Sequence, residues 1–430
     1  MNPPAKIRVL IIAEAASPNL ISVPLIGWSL TNALSEVADV HLATELRSVP
    51  DLLAAGWPAD RMIAIDNQII QRNAWRLWRL VGWSAYTGIT SLTYPLFELK
   101  LLHRIGRDLH RGRWDIVHRI TPLSVSSPSL LAQRCRGMGI PFVIGPVNGG
   151  LPWPKQFPEL ATAERDFATT LRPGMRVMPG WRATWKAAHT ILLGSLATAL
   201  SLPISTRRSW SYLPENAIDE TRFPRTSTHT REANSPLKLL FLGRLVALKG
   251  VDLAIEAIAP LLRNGQATFT IVGVGPEEPK LRQLAKRLGV ESTLIWMGLI
   301  PHTLVAEQLR AHHVLLFPSL REFGGGVILE AMACGAVPIV VKYGGPGELV
   351  KPGWGLSVPL TDRPRMIAAL GEAVAQLAAD EPLRQCMALA GQNEVYYNFT
   401  WRAKARHIAK IYGGIVAKRQ TQANPARRTT

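Results

Sequence analysis

The sequence predicts an α/β protein built as two Rossmann-like domains that face across a cleft. Three observations predict it. Short, wholly apolar runs recur along the 430 residues and end at loops carrying glycine or proline, as expected of strands buried on both faces of a parallel sheet. Helical apolar spacing follows several of these runs, so strand and helix alternate. A polar stretch at 221–236, rich in Arg, Thr, Ser and Pro, divides the chain into two parts, each long enough for its own core.

The first part, 1–220, opens with a strand over Ile7 to Ala13, interrupted only by Arg8. A loop with proline and glycine covers Ser17 to Gly27, a helix is expected over Trp28 to Val37, and a second strand over Val40 to Thr44. The loop after a first strand lies at the carboxyl edge of a parallel sheet, where ligands bind. Trp114 to His118 reads as a strand ending in a histidine. Ile140 to Gly150 is another strand with a glycine-rich exit that includes Asn148, and Thr190 to Ala199 is a strand running into a short helix.

Between 71 and 119 nine basic residues meet three acidic ones, with Trp75, Trp78, Trp83, Tyr86, Tyr94 and Trp114 interleaved. Arginine with tryptophan at helical spacing suits a membrane interface, where rings sit at headgroup level and cations meet anionic lipid. The same residues also fit a core of tryptophans under a solvated arginine face.

The second part, 237–398, starts with a buried strand over Leu237 to Gly243, apolar but for Lys238. Arg244 follows, then Lys249 and Gly250. Two cations shortly after a strand end suit a diphosphate. Thr268 to Gly275 is a strand leading to a Gly-x-Gly, but Glu278 occupies the third glycine position, so a dinucleotide fingerprint is broken. Leu294 to Gly298 and Val314 to Pro318 are further strands. After Pro318 come Glu322 and three glycines, Gly324, Gly325 and Gly326. A helical pattern from Val327 contains Glu330 and stops at Gly335, and a strand runs over Ala336 to Val341. A strand, glycine loop and helix start aim free backbone N–H groups and the positive helix end at one spot, which suits phosphate. Carboxylates flanking such a cradle are repelled by phosphate and accept hydrogen bonds from sugar hydroxyls instead. A ligand with a sugar on each side of its phosphates is a nucleotide sugar.

Glu322, seven residues, Glu330, then Ala-Met-Ala-x-Gly and Pro338, together with Gly243-Arg244-x4-Lys249-Gly250, resemble the donor-site signature of retaining family-4 glycosyltransferases, the group 1 glycosyl transferases of GT-B fold. The resemblance is strongest over 237–350. It implies a hexosyltransferase in which Glu322 meets the transferred hexose and Glu330 the ribose. Arg244 and Lys249 would neutralise the leaving diphosphate, while Gly243, Gly324, Gly325, Gly326 and Val327 line the donor. His118 matches a histidine that the family places near the transferred sugar. The resemblance further implies a crossover helix over 399–417 that returns to the first domain, a basic tail being expected at 418–430. It implies retention of anomeric configuration, no cofactor beyond the nucleotide-diphosphate sugar as substrate, and a polysaccharide, lipid-linked or other small acceptor. A sugar-nucleotide epimerase of the same fold, or a membrane-surface binder without catalysis, are the competing readings.

Composition narrows the rest. With 49 basic and 31 acidic residues the formal charge is +18, which calls for anionic partners: phosphorylated substrates, anionic lipid or nucleic acid. No nucleic-acid-binding motif accompanies it, so nucleic acid ranks last. The three cysteines have no metal or disulfide spacing, which fits a reducing compartment. No Asp-x-Asp pair occurs, and no metal ligand is expected. No run reaches the roughly 20 apolar residues of a membrane span. The expected location is the cytoplasm or the inner membrane face.

Overall fold

The computed structural model describes residues 6–67, 83–163, 179–228, 230–232 and 235–423. These divide into two compact units. The first gathers the residues up to Gly150, those from 179 to Glu215 and those from Trp401 on; the second holds the residues from Leu151 to 163 and from Asn216 to Thr400.

The first unit is a seven-stranded parallel sheet of β1 (Arg8–Ala13), β2 (Asp39–Glu45), β3 (Met62–Ile65), β4 (Ile116–Thr121), β5 (Phe142–Val147), β6 (Thr190–Leu193) and β7 (Trp210–Tyr212), in the order β3-β2-β1-β4-β5-β6-β7. Val9, Leu10, Ile11 and Ile12 have no exposed surface, so β1 is covered on both faces and reads as a continuous apolar run. One face packs against helices α2 (Trp83–His110) and α3 (Leu130–Gly137) through Phe97, Leu101 and Leu131. The other packs against α1 (Val23–Val37) and the C-terminal helix, Trp401–Ala423, through Leu30, Leu34, Ile408 and Tyr412.

The second unit is a six-stranded parallel sheet of β8 (Leu237–Leu242), β9 (Ala267–Val272), β10 (Leu294–Gly298), β11 (Val314–Phe317), β12 (Val337–Val341) and β13 (Leu356–Val358), ordered β10-β9-β8-β11-β12-β13. Its helices include α4 (Val251–Arg263), α5 (Gly326–Ala333), α6 (Gly344–Leu349) and α7 (Glu381–Asn398).

Four expectations are corrected. Helix α1 begins at Val23 and not at Trp28, because Pro24 occupies the first turn, where its missing N–H costs nothing. The described residues of the polar stretch 221–236, expected as a linker, are held on the second unit: Phe223 is buried and its carbonyl accepts from the Tyr396 hydroxyl at 2.6 Å, while the Arg231 backbone N–H donates to Glu381 at 3.0 Å. Leu151 to 163, expected within the first domain, belongs to the second unit. The C-terminal helix joins the first unit and runs to Ala423, past the expected end at 417. Residues 424–430 of the expected tail, and Trp75 and Trp78, lie outside the described residues. Trp114 and Tyr94 are buried in the core of the first unit.

Candidate functional site

In an open parallel sheet, ligands bind beyond the carboxyl ends of the strands where the strand order reverses. In the second unit that point falls between β8 and β11. The two loops leaving these strands carry Gly243 to Gly250 and Pro318 to Gly326. They are stitched together by backbone: Leu320 N–H donates to the Leu248 carbonyl at 2.8 Å, and a side chain at Gly250 would strike the Pro318 carbonyl at 2.5 Å. A short turn at Ala247–Lys249 then brings Lys249 across the crevice. Its ammonium pairs with the Glu322 carboxylate and lies 4.8 Å from the Phe317 ring centroid. The pair is largely buried, with side-chain exposures of 12% and 22%. Arg244 stands exposed in the same loop.

Gly325 caps α5 with a left-handed conformation, φ 64°, and Gly326 begins the helix, so the amide-bearing end of α5 opens at the loop that holds Glu322. Val327 lies half-buried one residue into α5. Glu330, on the same helix, faces His302 at 3.7 Å. The Arg222 guanidinium also contacts His302, at Nδ1. A guanidinium only donates, so Nδ1 accepts and the ring proton sits on Nε2, toward Glu330.

Sequence reasoning missed part of this. The Gly273-x-Gly275 pair serves close packing: a Cβ at Gly273 would lie 1.9 Å from the Gly243 carbonyl, so the loops after β8 and β9 meet backbone to backbone. Gly345 N–H donates to the Glu322 carbonyl at 3.0 Å, which ties the start of α6 to the Glu322 loop. The signal for that contact was the glycine pair Gly344-Gly345 shortly after a buried strand. His302 and Arg222 carry no motif of their own.

His118 does not join these residues. It lies in the first unit, fully buried, its Nε2–H donating to the Gly145 carbonyl at 2.6 Å and its Nδ1 accepting from the Tyr412 hydroxyl at 2.5 Å. Burial pushes its pKa down to about 4. Both ring nitrogens are spent on protein partners, so the structure does not offer it to a sugar. Asn148 is likewise structural, accepting from Ser195, Thr198 and its neighbour Gly149. Among the described residues no group of three His, Cys, Asp or Glu could hold a metal ion, and no helix is long and apolar enough to cross a membrane.

Residues 224–394, which contain both loops, match the family described as glycosyl transferases group 1. The matched part is less than half of the chain, and it is what the chain shares with that family. The matched stretch covers every site residue named above except His118, Asn148 and Arg222. A glycogen synthase of Mycobacterium tuberculosis is 32% identical over 205 residues, 47% of this chain and 48% of that protein. A GDP-mannose-dependent alpha-(1-6)-phosphatidylinositol monomannoside mannosyltransferase of Mycolicibacterium smegmatis is 35% identical over 193 residues, 42% of this chain and 48% of that protein. The chain thus spans about half the length of the curated relatives it matches. The crystal structure of Anabaena Alr3699/HepE in complex with UDP aligns over 95% of this chain and 100% of that one, with TM-score 0.61 and 17% identity. That of WaaG, a glycosyltransferase involved in lipopolysaccharide biosynthesis, aligns over 94% and 100%, with TM-score 0.56 and 15% identity. The fold is that of these proteins, GT-B.

Proposed function

We propose that the chain transfers a hexosyl group from a nucleotide-diphosphate sugar to a carbohydrate or lipid-linked acceptor, retaining anomeric configuration and using no metal ion. The observation that carries this reading is the meeting of Lys249, Glu322 and the α5 amide end at the switch point of a glycosyl transferases group 1 domain. Relatives described as a glycogen synthase and a mannosyltransferase, and a fold neighbour solved with UDP, favour transfer over epimerisation.

The donor's diphosphate lies between Lys249, Arg244 and the amides of Gly324, Gly325 and Gly326. These groups stabilise the charge that gathers on the leaving phosphate as the sugar–oxygen bond breaks. Removing one such preorganised donor costs about 3 kcal/mol in comparable anion sites, or about a hundredfold in rate. Glu322 orients the hexose through its hydroxyls and Glu330 the ribose. The leaving phosphate itself accepts the acceptor's proton. The chain works in the cytoplasm, with an anionic membrane surface as a second partner.

Thermal shift of the purified chain with UDP-, GDP- and ADP-sugars selects the donor. With it, Glu322→Ala is expected to lower nucleoside diphosphate release at least about a hundredfold at unchanged fold. A chelator is expected to leave release untouched. Normal turnover of the variant, or chelator inhibition reversed by manganese, overturns the reading.

A further inference from the structure

We infer that Arg321 is a positioning residue for Glu322, and that the Leu151–Trp153 segment it grips belongs to the hexose side of the donor site. The inference rests on the donor-site reading above. Arg321 directly precedes Glu322, yet its side chain turns inward and is only 8% exposed. Its Nε and Nη2 both donate to the Leu151 carbonyl, at 3.2 and 3.1 Å. Its guanidinium lies 4.1 Å from the Trp153 ring centroid and 5.0 Å from that of Phe323. A second tie runs beside it: the Tyr343 hydroxyl donates to the Pro152 carbonyl at 2.8 Å. Gly344 completes the junction, since a Cβ there would meet the Glu322 carbonyl at 2.4 Å and Leu151 Cδ2 at 2.7 Å.

Three backbone pieces therefore close on one point, and Glu322 is the side chain that leaves it. Burying a guanidinium is costly unless its donors are used. Two charge-assisted bonds to one carbonyl, with stacking on two rings, offset that cost and fix the guanidinium plane. Both chain neighbours of Glu322 are thus anchored, one as the cation and one as a ring against it. The ion pair with Lys249 restrains the Glu322 side chain directly, and a bound diphosphate draws Lys249 away from it. What persists is the Arg321 anchor, together with the Gly345 N–H on the Glu322 carbonyl, so Arg321 helps to keep the carboxylate aimed at the hexose when the donor is in place.

The test uses the full chain, isothermal calorimetry with UDP and GDP, and donor turnover read as nucleoside diphosphate released. Arg321→Met keeps the length and apolar contact but loses both hydrogen bonds. It is expected to lower kcat at least about tenfold while the Kd for nucleoside diphosphate stays within about twofold. Arg321→Lys, with its donors but no planar fork, is expected to recover part of the kcat. Wild-type kcat in Arg321→Met overturns the inference. So does a loss of nucleotide affinity in proportion to turnover, which makes Arg321 a support of the fold alone. Should Arg321→Met not fold, Arg321→Lys decides: a lowered kcat at unchanged Kd supports the inference and wild-type kcat overturns it. A wild-type chain that neither binds nor releases nucleoside diphosphate sinks the donor-site reading, and this inference with it.

Discussion

Lys249 and Glu322 occupy each other, and that sets up a competition. A diphosphate arriving at the β8/β11 crevice needs the ammonium that the carboxylate now holds, and it is itself repelled by that carboxylate. On the function proposed above, Glu322 therefore opposes diphosphate binding while it serves the hexose. Replacing it with glutamine removes the competitor and the like charge but leaves the size unchanged. We expect Glu322→Gln to bind UDP or GDP more tightly, by roughly three- to tenfold for about 1 kcal/mol of relieved repulsion at high effective dielectric, and to lose most of its transfer rate. Calorimetry on the nucleoside diphosphate and turnover on the sugar donor measure the two effects separately. Equal or weaker diphosphate affinity in the variant would show that the ion pair is no obstacle to the donor.

At the scale of elements, the parallel strands were legible because burial on both faces leaves uninterrupted apolar runs, such as Val314 to Phe317. Strands β7 and β13, of three residues each, are too short to leave such a run, and β3 lies at the edge of its sheet with Ala64 exposed, so it is not buried on both faces. The glycine loop and its two acids were legible because backbone conformation and charge are written in single residues. His118 was not: it was expected to end its strand, but β4 runs on to Thr121, and a mid-strand histidine whose ring meets the C-terminal helix has the same sequence as one facing a ligand. The connector failed for a related reason. Its composition is that of a linker, and composition does not show that Phe223 reaches the core of the second unit with 3% of its surface exposed or that Arg231 meets Glu381. Phe223→Ala is expected to destabilise that unit by about 3 kcal/mol or more, as for other buried Phe truncations. The neighbouring Thr221→Ala is expected to cost less than about 0.5 kcal/mol. Urea unfolding of both variants checks this, and a Phe223→Ala midpoint equal to that of wild type would return the stretch to a loose connector.

At the scale of the whole molecule, the charge of +18 exceeds what a donor diphosphate requires. Part of it is displayed along helix α2 and just past its end, where Lys100, Arg104, Arg107 and Arg111 are exposed. Leu96 and Leu99, 41% and 50% exposed, continue the same helical face at three- and four-residue spacing. A stripe of cations beside exposed leucines matches the two forces that hold a protein on an anionic bilayer, one screened by salt and one not. Each basic residue near such a surface contributes about 1 kcal/mol. The triple change Arg104→Ser, Arg107→Ser, Arg111→Ser should therefore weaken sedimentation with phosphatidylserine vesicles by about a hundredfold. Wild-type binding should fall as the screening length drops from about 10 Å at 0.1 M salt to about 3 Å at 1 M. Vesicles of phosphatidylcholine alone serve as the neutral control. If wild type binds them as well as it binds phosphatidylserine, or if the triple variant sediments like wild type at low salt, the charge of this helix serves some purpose other than a membrane.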